Sequence, residues 1–131
     1  MDFNEYVERG IFYKAGGREG LALDCWGLVR VFYDEQLGIQ LPSYEHVNTD
    51  LSLLECAKMF EQESFTKWVE VPEPRSGDVV LLKTRRRAMH VGIFIKGGSV
   101  LHIEENQMAV IEPLDGWKWQ NRVISYIRPK I

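Results

Sequence analysis

From Lys67 onward the chain is a succession of short β-branched segments, each closed by turn residues, and this pattern limits the fold most. Trp68 to Val71, Asp78 to Lys83, Met89 to Ile95, Val100 to Glu104, Met108 to Ile111 and Arg122 to Ile127 read as strands. Pro72, Pro74 and Gly77, then Gly97-Gly98, then Asp115-Gly116 punctuate them. Residues 1–65 carry helical spacing instead. Asp2 to Glu8 predicts a short first helix with Phe3, Tyr6 and Val7 inward. The Gly-rich stretch Ala15 to Gly20 is expected to turn through conformations that other residues resist. Asp24 then opens a helix on which Cys25, Leu28, Val29 and Phe32 recur, with Gly38 as its stop. Leu41-Pro42 is extended, and a third helix is predicted from Asp50 to Glu63, with Leu53, Leu54, Ala57 and Phe60 on one face. Helices first and strands second predict an α+β fold, N-terminal helices packed on a mainly antiparallel sheet of about five to six strands.

The 131 residues fit one domain, 1–131, and show no repeats or linker-like tracts. With 45% hydrophobic and 27% charged residues the composition is that of an ordinary globular core and surface. A net charge of −3 gives no general attraction to nucleic acid or to an anionic membrane. No stretch approaches the roughly 18 apolar residues of a membrane span, so no membrane insertion is expected. The opening Met1-Asp2-Phe3-Asn4-Glu5 lacks the basic and then apolar layout of a secretory signal, which leads us to expect cytoplasmic synthesis. The two cysteines, Cys25 and Cys56, make no disulfide framework. His46, His90 and His102 are too far apart in sequence for a short-spaced zinc motif, and no metal or cofactor is expected.

Cys25 sits where a helix begins. There the unpaired backbone N–H groups and the positive end of the helix dipole favour thiolate over thiol. Position alone leaves two readings, a reactive nucleophile or a small core residue. The later histidines bear on that choice through their strand faces. His90, Gly92 and Phe94 share one face of their strand, and His102 lies beside Val100 and Glu104 on the less aliphatic face of the next. A two-residue Gly97-Gly98 turn would put the two histidines on opposite faces. A three-residue Lys96-Gly97-Gly98 loop, with Gly in the left-handed region, pairs Ile95 with Ser99 and His102 with Gly92. His90 and His102 then become diagonal neighbours, with no side chain on Gly92 between them. The three-residue loop is the prediction. A histidine within reach of the thiol would favour the thiolate and later protonate a leaving amine, and this loop would place the two histidines as neighbours for such a role.

Other polar residues have structural explanations. Asp24 is placed as an N-cap. Cys56 lies on the predicted third helix as an inert thiol, and His46 in a polar connection as a solvated side chain. Lys83-Thr84-Arg85-Arg86-Arg87 is a basic hairpin tip, solvated by default and able to meet an anionic partner. Trp117 and Trp119 either close the end of the core or line a groove.

Taken in order, Tyr13-Lys14-Ala15-Gly16-Gly17, Asp24-Cys25-Trp26-Gly27-Leu28-Val29-Arg30, Leu41-Pro42, Ser76-Gly77-Asp78-Val79-Val80, His90-Val91-Gly92-Ile93 and Leu101-His102 resemble the NlpC/P60 cysteine peptidases. The likeness covers nearly the whole chain after the first helix. The phrase from Gly16 to Gly20, followed by Asp24 to Arg30, looks most like the branch found in tailed-phage and prophage tail proteins. The resemblance implies a compact papain-like fold and cleavage of peptidoglycan stem peptides between D-γ-glutamate and a diamino acid. It implies Cys25 as nucleophile, His90 as general base and His102 as third polar residue. Tyr13 would line the site and help hold the oxyanion, with the Cys25 N–H. Asp24 would meet the free amino terminus of the stem peptide. Many members carry Ser after the catalytic Cys; Trp26 stands there instead and is read as a change in substrate specificity.

The leading expectation is therefore a peptidoglycan endopeptidase associated with a phage tail, with tail proteins as partners. A tail-assembly or tail-tip component using the fold as an interaction module is the second reading. An amidase acting on another small peptide or acyl substrate is the third.

Overall fold

The computed structural model describes residues 1–43, 68–84 and 90–130. The predicted third helix, His46, Cys56 and residues 85–87 of the basic tip lie outside the described residues. Helix α1 spans Asn4–Glu8. Two-residue strands β1 (Phe12–Tyr13), β2 (Arg18–Glu19) and β3 (Ala22–Leu23) form a small sheet in the order β1-β3-β2. Helix α2 covers Cys25–Phe32 and continues as a π-helical turn, Tyr33–Leu37, which ends at Gly38 with φ of 66°. Strands β4 (Trp68–Glu70), β5 (Val79–Leu82), β6 (His90–Ile95), β7 (Ser99–His102), β8 (Val110–Pro113) and β9 (Val123–Pro129) make a six-stranded sheet in the order β4-β9-β5-β6-β7-β8. Every neighbouring pair in that sheet is antiparallel. This is the α+β arrangement read from the sequence. The small sheet and the π turn were not foreseen.

Period-2 alternation along β5, β6 and β7 separates two apolar clusters. Val79, Leu81, Val91, Ile93 and Leu101 join Leu28, Val29 and Phe32 of α2 in the main core. Val80, Leu82, Phe94 and Val100 pack with Leu114 and Trp119 in a smaller one. Each fully buried Leu, Val or Phe contributes about 1.5–3 kcal/mol relative to exposure, so the three α2 side chains alone anchor the helix firmly. Behind the sheet, the Gly77-Asp78 turn acts as a clamp. Asp78 is buried and accepts two bonds from Arg128 at 2.7 Å each, while the Tyr33 hydroxyl donates to the Gly77 carbonyl. The Gly77 N–H also donates to the Phe94 carbonyl at 2.9 Å and the Phe94 N–H to the Asp78 carbonyl at 2.8 Å, so the turn links the helical half to β6, the strand that carries His90.

The β6–β7 hairpin has the predicted register. Ile95 pairs with Ser99, Phe94 with Val100 and Ile93 with Leu101. Gly97 and Gly98 take φ of 104° and 98°, and the Gly98 N–H donates to the Ile95 carbonyl at 3.1 Å. Only glycine adopts such angles without strain, so this pair sets the loop length and with it the side on which His102 emerges.

Candidate active site

Cys25 is the first residue of α2 and His90 the first of β6, and both border one cavity of about 570 Å³. The helix begins here because Asp24 caps it. The Asp24 backbone is extended, and its Oδ1 accepts from the Gly27 N–H at 2.8 Å. Asp24 is itself buried, and its charge is met by Arg18, whose Nη1 donates to the same oxygen at 2.6 Å; Oδ2 accepts from the Gly16 N–H at 3.1 Å. The loop before the helix is thus tied to the helix start through a single carboxylate. Gly27 permits the close approach, since a Cβ there would stand 2.1 Å from the Gly17 carbonyl oxygen.

On the sheet, Nε2 of His90 and Nδ1 of His102 are 2.8 Å apart. Both imidazoles are buried, and the rings meet nearly edge to face at 77°. Gly92 makes this possible: a Cβ there would lie 3.1 Å from the His102 Cβ and 2.5 Å from Val100 Cγ2. The structure therefore brings together the two histidines that the three-residue loop was expected to align. Trp119 underlies the pair, stacked on His90 at 5.9 Å and 10° and meeting His102 edge-on at 5.1 Å.

Glu112, on β8, was not singled out from the sequence. Its Oε1 lies 2.5 Å from His102 Nε2 and also accepts from Trp119 Nε1 at 3.3 Å and Lys118 Nζ at 3.2 Å. The hydrogen bond from His102 is the main reason its carboxyl is lowered to about 2, against a smaller opposing effect of burial. Lys118 also bonds Glu104 Oε1 at 2.5 Å. Burial pulls its ammonium down, but the bonds and charges of Glu104 and Glu112 together outweigh that and raise it. Ligand atoms of His102, Glu104 and Glu112 all fall within 4.8 Å of one another, with the Lys118 ammonium bonded to both carboxylates.

The remaining residues divide clearly. Tyr13 lines the cavity, held there because its N–H donates to the Gln107 carbonyl at 3.1 Å. Asp24 and Trp26 are not among the described residues bordering it. Trp26 is buried in the main core, its indole N–H donating to the Pro42 carbonyl at 2.9 Å and its ring meeting Trp68 at 6.1 Å. The two alternatives for the paired tryptophans are both realised. Trp119 closes the smaller core, and Trp117, 92% exposed, stands at the cavity's edge. Thr84 and Arg122 complete that side.

The NlpC/P60 family model matches residues 10–128. The murein DD-endopeptidase MepS/murein LD-carboxypeptidase of Escherichia coli K12 is 27% identical over 91% of this chain and 56% of its own length. The probable endopeptidase NlpC homolog of Haemophilus influenzae is 26% identical over 89% of this chain and 54% of its own. Tail tip assembly protein K of Escherichia phage N15 is 28% identical over 82% of this chain and 45% of its own. The chain thus spans about half the length of these relatives. Among solved structures, the NlpC/p60 domain of peptidoglycan hydrolase SagA superposes with a TM-score of 0.64 at 19% identity, over 96% of this chain and 92% of that one. A Bacillus cereus NlpC/P60 family protein gives 0.64 at 18%, over 95% and 36%. These likenesses bear on the fold, which they support. Among the described residues, no helix is long and apolar enough to cross a membrane.

Proposed function

We propose, for a chain that belongs to the NlpC/P60 family, that it is a cysteine endopeptidase hydrolysing the D-γ-glutamyl–diamino acid bond of peptidoglycan stem peptides, working with a phage tail. The observation that carries the reading is His90, bonded to the buried His102, opening on the same cavity as a thiol at a helix start. Cys25 Sγ attacks the γ-carbonyl carbon, and the developing oxyanion is stabilised by the Cys25 N–H, at the positive end of α2, and by Tyr13. His90 takes the thiol proton and passes it to the departing amine, leaving a thioester. Water, deprotonated by His90, then releases the acid and restores the thiol. Tyr13 meets the substrate directly. Asp24 and Trp26 influence the fit from the inner side, through the helix start and the Trp26–Trp68 contact.

The test is digestion of purified peptidoglycan with mass analysis of the fragments. Products ending in γ-D-glutamate are expected from the wild-type protein and none from Cys25→Ala. Fragments cut at another bond would reassign the specificity, and activity surviving in Cys25→Ala would remove the nucleophile. Similarity to a tail tip assembly protein favours a second reading, an interaction module of the tail. That reading predicts unimpaired assembly in Cys25→Ala and no fragments from either protein.

A further inference from the structure

We infer that Glu112 is a positioning residue of the catalytic apparatus, the end of a relay Cys25–His90–His102–Glu112 that fixes which nitrogen of each imidazole carries its proton. The inference rests on the peptidase reading above and extends it by one residue and one function.

A neutral imidazole has one N–H and one lone pair, so the hydrogen bond at one nitrogen dictates what the other can do. An ionised carboxylate only accepts. Its contact of 2.5 Å with His102 Nε2 therefore requires a proton on that nitrogen. The Glu112 oxygen also accepts from Trp119 Nε1 and Lys118 Nζ, so three donors converge on one acceptor and hold it in place. With its proton on Nε2, neutral His102 presents a lone pair at Nδ1. His90 Nε2, 2.8 Å away, must then donate. That leaves the Nδ1 lone pair of His90 as the one that takes the Cys25 proton. Throughout the reaction the proton on His90 Nε2 stays there and donates to His102 Nδ1, while His90 Nδ1 gains and loses the mobile proton.

Without the carboxylate the logic reverses. Nothing then keeps the proton on His102 Nε2. If it moves to Nδ1, His102 becomes a donor toward His90, and the neutral His90 must carry its own proton on Nδ1, which leaves no lone pair there to take the thiol proton. Lys118 supports the arrangement by bonding Glu112 and Glu104 together, which keeps the glutamate extended toward His102 and not into solvent. Trp119 adds a steric floor, since it stacks on His90 and meets His102 edge-on.

The test compares Glu112→Leu, which removes the acceptor, with Glu112→Gln, whose carbonyl keeps an uncharged one. Lys118 and Trp119 both donate to that position and orient the amide oxygen toward His102. Turnover of a soluble muropeptide should fall about 10²–10⁴-fold in Glu112→Leu, the range expected when a catalytic imidazole is held in the wrong tautomer. It should fall only roughly tenfold in Glu112→Gln, since a neutral bond replaces a charge-assisted one. In both variants the loss lies in kcat, with KM little changed. The rate of Cys25 alkylation by iodoacetamide should follow the same order. Histidine ¹⁵N spectra should show His102 protonated at Nε2 in the wild-type protein and in Glu112→Gln, and at Nδ1 in Glu112→Leu. Full turnover with an unchanged tautomer in Glu112→Leu would overturn the inference, as would a loss confined to KM. If Glu112→Leu does not fold, the histidine ¹⁵N spectrum of the wild-type protein decides alone: neutral His102 protonated at Nδ1 there would overturn the inference, and protonation at Nε2 with His90 protonated at Nε2 would support it. If the wild-type protein releases nothing from peptidoglycan, the proposed substrate fails, while alkylation and the tautomer spectra still decide the part played by Glu112.

Discussion

Replacing Gly92 by Ala tests whether the two histidines depend on the absence of a side chain between them. The added Cβ would stand 2.5 Å from Val100 Cγ2, 3.0 Å from the Leu101 carbonyl oxygen and 3.1 Å from the His102 Cβ. Carbon atoms pack at about 3.5–4.0 Å, so the first contact overlaps by roughly 1 Å. Val100 cannot swing away, because it is fully buried among Val80, Leu82, Phe94, Leu114 and Trp119. The Leu101 oxygen belongs to the backbone of β7. Relief must therefore come from a shift of β7 relative to β6, at a cost of about 1–3 kcal/mol, typical of an overpacked core. The melting temperature should fall by roughly 4 °C for each kcal/mol. The same shift lengthens the His90–His102 contact, and a misplacement of about 1 Å in a catalytic group costs on the order of a hundredfold in rate. Chemical denaturation and muropeptide turnover measure the two losses separately. Gly38→Ala is the control: its φ of 66° makes it strained, but nothing lies within 4 Å of an added Cβ, and it sits at the end of the π turn, outside the histidine hairpin. It should lose about 1–2 kcal/mol of stability and leave the rate alone. The pair Gly92→Ala with Val100→Ala should recover part of the stability, with a coupling of about 0.5–3 kcal/mol. Wild-type turnover in Gly92→Ala would refute the reasoning, and so would complete additivity in the double variant.

Two other outcomes follow from ion pairs near the site. Asp24→Ala removes a helix cap and leaves Arg18 facing the vacated position, so unfolding free energy should drop by about 3–5 kcal/mol; Asp24→Asn, which can still cap, should drop less. Because the Glu112 carboxyl is lowered from 4.5 to about 2 in the folded chain, its contribution to stability is fully present above the unfolded value and is lost as pH falls from 4.5 toward 2. Acid unfolding of Glu112→Gln should therefore depend less steeply on pH across that window. Equal slopes for the two proteins would contradict the assignment.

Much of the candidate site's geometry was legible because period and turn chemistry determine it. The glycine pair at 97–98 sets the hairpin length, the hairpin length sets which face His102 occupies, and Asp24 marks the helix start at Cys25. Glu112 was not legible for a reason that lies in the next connection. Val100 pairs with Glu112 and His102 with Val110, so Glu112 shares the histidine face only in this register. The connection between His102 and Val110 runs from Ile103 to Ala109, and its one tight turn, closed by the Gln107 N–H donating to the Glu104 carbonyl, is too far from the strand ends to set that register. It is set instead by contacts distant in sequence, the Ala109 N–H donating to the Ile11 carbonyl and the Tyr13 N–H to the Gln107 carbonyl. Two-residue strands such as Phe12–Tyr13 are too short to show any period, and they too are defined only by their partners. The inward turn of Trp26 depends likewise on Trp68 and Pro42, which arrive from elsewhere in the chain.

The split between the two C-terminal tryptophans also gives this protein an optical handle. Of its four indoles, Trp26, Trp68 and Trp119 are buried, whereas Trp117 is open to water at the edge of the cavity that Cys25 and His90 also line. Indole emission moves to longer wavelength in water, so the fluorescence of the folded chain separates into a blue component and a single red, quencher-accessible one. Occupation of the cavity alters the red component without any attached label. The blue component includes the ring stacked on His90, whose brightness responds when that imidazole acquires charge. One emission spectrum thus reads both the edge of the cavity and the charge of the His90 ring inside it.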